Sequence, residues 1–268
     1  MTDSSGRLAA TGAVHLWHGH ATDGIDPDPL AVLDDEELRL VHGRHAAGSP
    51  YATAHAAVRR VLADHYLGGP PGAIRFGRYP CPRCGDPAHG RPRVVSPTTR
   101  LEFSLSRSGA HWAPAVTAGG GRVGIDIEHR GAPDAERLPG PVPSGAAHAR
   151  PRAPRHDDGR WTSSRARTRE KAVLKAVGVG VPTDLCAPEA RPGGEGPPHA
   201  GHVEPGHRSH WVVEEPDLAP DLAVALAREA GRTGPVLVRT PGPPGHRTRA
   251  TAARTAAVAG EAGHGGAR

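Results

Sequence analysis

Arg122-Val123-Gly124-Ile125-Asp126-Ile127-Glu128 alternates without a break. Val123, Ile125 and Ile127 fall on one side and Gly124, Asp126 and Glu128 on the other, the period of two that predicts a half-buried strand. Two carboxylates two positions apart on a strand share a face, with Cα atoms roughly 6.5–7 Å apart. Both side chains can then converge on one hard cation. Mg²⁺ takes one or two carboxylates and completes its shell with waters and substrate phosphates, which makes Asp126 and Glu128 the candidate metal ligands. An acidic strand face turned to solvent would alternate in the same way.

Working outward, Glu102–Gly109 predicts a short strand running into a turn, with Phe103 and Leu105 toward the core and Ser104 and Ser106 facing away. Hydroxyls, the backbone N–H groups near Gly109 and the cation Arg107 would make a phosphate cradle there. Trp112–Thr117 reads as a further strand, and Pro114 favours an edge position for it. On the other side, residues 131–168 lose all periodicity. Six prolines lie between Pro133 and Pro154, and no helix or strand is expected across the span. Order returns at Arg169–Gly180, a helix buried through Ala172, Val173, Ala176 and Val177, with Lys171 and Lys175 one turn apart on another side. A strand at Trp211–Val213, a helix over Leu218–Arg228 and a strand at Val236–Val238 follow. From Pro241 on the chain reads as a disordered tail.

Toward the N-terminus, residues 1–12 read as a disordered lead and Val14–His18 alternates as a strand. Asp34–His45 suits a helix. Ser49 as cap and Pro50 at the first helical position open a clearer one, continued by Tyr51, Ala54, Val58, Val61 and Leu62 until Gly68-Gly69-Pro70. Its polar side carries His55, Arg59 and Arg60, by default a solvated basic face.

The 268 residues suffice for one large domain or two small ones. A net charge of +5 and a pI near 9.6 favour an anionic partner. No apolar run approaches the 18 or so residues of a membrane span. Met1–Leu16 lacks a basic start followed by an apolar core, so no secretory leader is expected. Three cysteines do not make a disulfide framework and fit a reducing cytoplasm. Cys81-x-x-Cys84 with His89 supplies three zinc ligands where a closed site wants four, and reads as a tight loop rather than a zinc site. His199, His202, His207 and His210 sit among Gly and Pro with no helix to align them.

Three landmarks now stand in order: Phe103–Gly109, Val123–Glu128 and Arg169–Gly180. With Gly90-Arg91-Pro92 upstream, the set resembles the Sfp-type 4′-phosphopantetheinyl transferases. The resemblance covers about residues 14–128 and 169–239. It implies an α+β fold, a monomeric pseudo-dimer of two similar halves. Here these would be residues 1–121 and 122–240, the second with an irregular insert at 131–168, followed by a tail at 241–268. It also implies the activity: Mg²⁺-dependent transfer of the phosphopantetheine arm of coenzyme A to a serine of an apo acyl or peptidyl carrier protein. Adenosine 3′,5′-bisphosphate is released, and neither nucleic acid nor membrane takes part. Residue by residue, it places Asp126 and Glu128 on the metal. His55, Arg91, Pro92, Ser106 and Arg107 would surround coenzyme A. Lys175 would steady the phosphate under attack, and Glu170 would serve as third metal ligand or as base. Arg107 stands for the family's histidine and Arg167 for its tryptophan. The family's Lys-Glu order is reversed to Glu170-Lys171, and one helical position is a rotation of about 100°. Lys171 is therefore expected to face the metal, and the alternative is an impaired relative that only binds coenzyme A or carrier protein.

Overall fold

The computed structural model describes residues 3–21, 28–43, 48–130, 157–179, 199–204, 207–242 and 250–252. In chain order the first elements are α1 (Asp3–Thr11), β1 (Val14–Trp17), β2 (Gly19–His20), α2 (Asp35–His42) and α3 (Gly48–Leu62). Then come β3 (Arg75–Arg78), β4 (Pro92–Ser96), β5 (Leu101–Ser108), β6 (His111–Ala118) and β7 (Val123–His129). The remainder are α4 (Asp157–Val177), β8 (His199–Glu204), β9 (His207–Glu214), β10 (Leu222–Glu229), β11 (Val236–Arg239) and β12 (Ala250–Ala252). The fold is mixed helix and sheet.

Two sheets and a small hairpin, β3-β4, organise these elements. The first sheet has six strands, with β12-β11-β1-β6-β2 in order and β5 on the other side of β6. Its β1-β11 pair is parallel, Val14 opposite Val236. The second runs β7-β10-β9-β8, antiparallel throughout. The sheets face each other through Val14, Leu16, Ala113 and Ala115 on one side and Ile125, Ile127, Val224 and Leu226 on the other. The outer face of the first sheet buries Trp17, Phe103 and Val116 against Val58, Val61 and Leu62 of α3. The outer face of the second buries Trp211, Ala225 and Ala227 against Ala172, Val173 and Ala176 of α4. The layers are thus helix, sheet, sheet, helix. The sheets do not part at residue 121, because β11 and β12 complete the first one.

Small residues let α4 approach closely. A Cβ on Gly124 would lie 2.0 Å from the Ala172 carbonyl oxygen and 2.5 Å from the Ala176 nitrogen, so the acidic strand needs glycine under the helix that faces it.

Several expectations are corrected. Residues 3–12 are not a disordered lead, since α1 buries Leu8 in the core. β6 is central, not an edge. Pro114 is tolerated because the neighbouring strand is broken opposite it: β1 pairs up to Leu16–Ala115 and β2 resumes at Gly19–Trp112. α4 starts at Asp157, so residues 157–168 are helical; residues 131–156 lie outside the described ones. Leu218–Arg228 is not a helix but leads into strand β10. Its alanines made it look helical, yet Ala225 and Ala227 face α4 while Leu222, Val224 and Leu226 face the other sheet, a period of two. Within the expected tail, Ala250–Ala252 is a strand on β11.

Candidate active site

Ser104, Ser106 and Ser108 do not face solvent. They face β7, and their hydroxyls accept from the N–H groups of Ile125 (3.2 Å), Ile127 (3.1 Å) and His129 (3.0 Å). β7 is an outer strand, so its unpaired N–H groups need acceptors. A ladder of three serine hydroxyls supplies them and ties β5 of the first sheet to β7 of the second. The middle rung also carries the site. Ser106 Oγ donates to Asp126 Oδ1 at 3.0 Å and accepts from Lys175 Nζ at 2.9 Å.

Asp126 is buried, which overturns the solvent-facing alternative for it. Lys175 Nζ reaches its Oδ1 at 2.6 Å. Lys171, one turn earlier on α4, pairs with Glu128 Oε1 and stands 4.0 Å from Asp126 Oδ2. Two carboxylates on a strand therefore meet two ammonium groups on a helix. Burial works against the charge of Lys171, but Asp126 and Glu128 outweigh it and hold the ammonium above its usual range. Asp126 Oδ2 is buried and, among the described residues, accepts no hydrogen bond.

These groups line one side of a cavity of about 1040 Å³. Its other walls bring His55 and Tyr51 from α3, Arg78 and Arg91 from the β3-β4 hairpin, and Arg107 from β5. Of the expected site residues, His55, Arg91, Pro92, Ser106, Arg107, Asp126, Glu128 and Lys175 all border this space. Glu170 is not among its lining; Lys171 is. Burial raises the Glu170 carboxyl above the usual range, partly offset by Arg167. Tyr51 and Arg78 carried no sequence signal of a site. Lys171 carried one, in its four-residue spacing from Lys175.

The same cavity wall holds a second ionic cluster. Arg59 is fully buried, not on a solvated face. Its Nε donates to Glu37 at 2.8 Å, its Nη2 to Asp34 at 2.6 Å, and its Nη1 to the Ile74 carbonyl at 2.7 Å. Glu37 also accepts from His55 at 2.9 Å and closes a capping box with Asp34 at the start of α2. Burial alone would raise Glu37, but His55 and Arg59 hold its carboxyl below the usual range.

The cysteine loop is a turn, as expected. Cys81 is buried against α4, while exposed Cys84 lies 3.4 Å from His89 Nδ1. No zinc ligand set forms there among the described residues. Of the His199–His210 group, only His210 has a described side chain.

Compared with known proteins, the chain matches no family model and no curated protein.

Proposed function

We propose that this protein transfers the 4′-phosphopantetheine arm of coenzyme A to a serine of an apo carrier protein. The observation that carries the reading is one cavity bordered by Arg78, Arg91, Arg107, Lys171 and Lys175 on one hand and by the Asp126-x-Glu128 pair on the other. At about 1040 Å³ it is at the upper end of small-ligand sites, and its cations suit a ligand with several phosphates. In this reading the serine oxygen bonds to the phosphorus of the pantetheine arm. The pyrophosphate bridge breaks toward adenosine 3′,5′-bisphosphate, and the serine proton leaves. Lys175, held by Ser106 and Asp126, steadies the phosphate under attack, while Arg91, Arg107 and His55 hold the nucleotide end.

The donor set is compatible with Mg²⁺. Asp126 Oδ2 is a carboxylate oxygen that accepts no hydrogen bond among the described residues, and Glu128 neighbours it on the same strand face. Asp126 and Glu128 would hold the ion, and when bound it neutralises charge on the pyrophosphate. Lys171 competes for the same carboxylates. A second cation 4 Å away is opposed by several kcal/mol at an effective dielectric near 20. With Glu170 off the lining, the expected base is missing as well. Both observations favour a slow enzyme, or one that binds coenzyme A without turning it over.

The pseudo-dimer of two similar halves belongs to the same proposal, supported by one long helix packed on each sheet. So do a monomeric state, a cytoplasmic setting, and the absence of nucleic-acid and membrane partners. Among the described residues no helix is long and apolar enough to cross a membrane.

Incubation with coenzyme A, Mg²⁺ and several apo carrier proteins, read by intact mass, tests the reading. A phosphopantetheine mass gain, lost in Asp126→Ala, is expected. Exchanging Glu170→Lys together with Lys171→Glu should raise the rate. Coenzyme A binding without transfer would select the impaired relative, and neither binding nor transfer would overturn the proposal.

A further inference from the structure

The last rung of the serine ladder places a different group of side chains together. Ser108 Oγ accepts from the N–H of His129, the final residue of β7, and Ser108 pairs in register with His111, the first of β6. Across the second sheet, His129 lies opposite Leu222 at the start of β10, which brings Asp221 beside it. His129 Nε2 lies 2.9 Å from Asp221 Oδ2, and the His111 and His129 rings stack at 5.5 Å. One ligand atom from each of His111, His129 and Asp221 lies within 4.8 Å of the others. Three strand ends from two sheets thus converge on one point, at the end of the ladder one rung beyond Ser106 and Lys175.

We infer that His111, His129 and Asp221 bind a divalent transition metal of the zinc class. Two imidazoles and a carboxylate are nitrogen-rich donors that suit Zn²⁺ and its neighbours rather than Mg²⁺. Tetrahedral ligands at 2.0–2.1 Å from zinc stand about 3.3 Å apart, so these three close on an ion by rotations of about an ångström. Two further histidines support the ring that must be oriented. His18 Nε2 lies 3.2 Å from His111 Nδ1, and the His20 ring meets His111 edge-on at 4.8 Å. Such outer partners fix the orientation of metal-bound imidazoles. Three protein ligands leave a fourth position to water. The ion would clasp the first sheet, through β6, to the second, through β7 and β10. It is a separate site from the Asp126–Glu128 pair and does not depend on the proposed transferase reading.

The test uses the full chain in a Cys84→Ser/Cys186→Ser background, so that buried Cys81 is the one thiol left of three, freed of metal by chelator and titrated with Co²⁺. One equivalent should bind with the visible d–d absorption of a low-coordinate nitrogen/oxygen site. It should disappear in the His111→Ala/His129→Ala double variant, whose fold is checked by circular dichroism. Asp221→Asn, at a half-exposed turn, should weaken binding about tenfold or more. Zn²⁺ should raise the melting temperature of the parent but not of the double variant. No Co²⁺ binding, or a spectrum unchanged in the double variant and an affinity unchanged in Asp221→Asn, overturns the inference.

Discussion

Two ionic clusters face the same cavity, and they are built to opposite rules. Around Arg59 every partner is fixed: the guanidinium is fully buried, and Asp34, Glu37, Pro71 and Ile74 accept its hydrogens. His55 and the capping box use what remains of Glu37. Around Asp126 the accounting stays open. Lys171 and Lys175 are 26% and 31% exposed, and Asp126 Oδ2 has no hydrogen-bond partner among the described residues. A saturated cluster holds a wall in place; an unsaturated one leaves charge facing the cavity. The difference is why Arg59 reads as structure and the lysines read as chemistry, although all three are cations on helices beside acidic residues.

The comparison can be broken most directly at Arg59. Arg59→Met leaves Glu37 and Asp34 without their main counter-ion, and should cost about 3–5 kcal/mol in urea unfolding. A loss below about 1 kcal/mol would mean the wall stands without it.

Acid sharpens the contrast, once His15 and His65, both lowered first of all by burial, are accounted for. Burial first, then Arg239, lowers the His15 imidazole from 6.5 to about 3. The unfolded chain takes up that proton before the folded one. Stability should therefore fall as pH drops through the window from 6.5 toward 3, by about 2–3 kcal/mol at pH 4.5. His15→Asn should flatten that limb in pH-dependent melting. What acid lability remains below pH 4.5 belongs in part to Glu37, whose lowered carboxyl gives stability that is lost as it protonates. A limb unchanged by His15→Asn would refute the assignment.

Asp126→Asn should cost less, about 1–2 kcal/mol, because Lys175 is released toward solvent rather than stranded. A loss equal to that of Arg59→Met would make the two clusters alike. The smallest change is expected from Lys171→Met, below about 1 kcal/mol near neutrality. Its effect should shrink further in alkali. The raised ammonium gives stability that is complete below 10.5 and is lost as pH rises through its folded value. The same variant should bind Mg²⁺ more tightly by calorimetry, and unchanged affinity would show that Lys171 does not compete.

How much of this was legible follows from what each stretch has on its two sides. β7 could be read because β-branched residues and carboxylates alternate, and both faces have a use. The serines of β5 alternate equally well, and the period was right. What they face was not, because a second sheet beyond them leaves no mark on β5 itself. β10 was hidden by the small residues that let α4 sit close. The opening turns of α4 are polar and were invisible: they are held by Arg165 and Arg169 on Glu215 and by Trp161 under Arg130, contacts four residues apart but made by arginines, which leave no apolar stripe. Of the site, the acidic pair, Ser106, Arg107 and Lys175 could be named from motifs. The exchange of Glu170 for Lys171 at the cavity follows from helix rotation alone. The histidine–aspartate group could not be anticipated, since its members come from three strand ends that only the ladder brings together.

The parallel pairing of Val14 with Val236 has a consequence for the making of the chain. β1 is synthesised early and its neighbour β11 late. At 5–20 residues per second, β1 leaves the ribosome roughly 10–45 s before the strand that covers it. During that interval Val14, Leu16 and Trp17 present an uncovered edge, the kind of surface that recruits a partner of its own type. The hazard is greatest on crowded polysomes, where neighbouring nascent chains expose the same edge together. Yield in a cell should therefore depend on chaperone supply and on slow synthesis at low temperature more than on the stability of the finished fold.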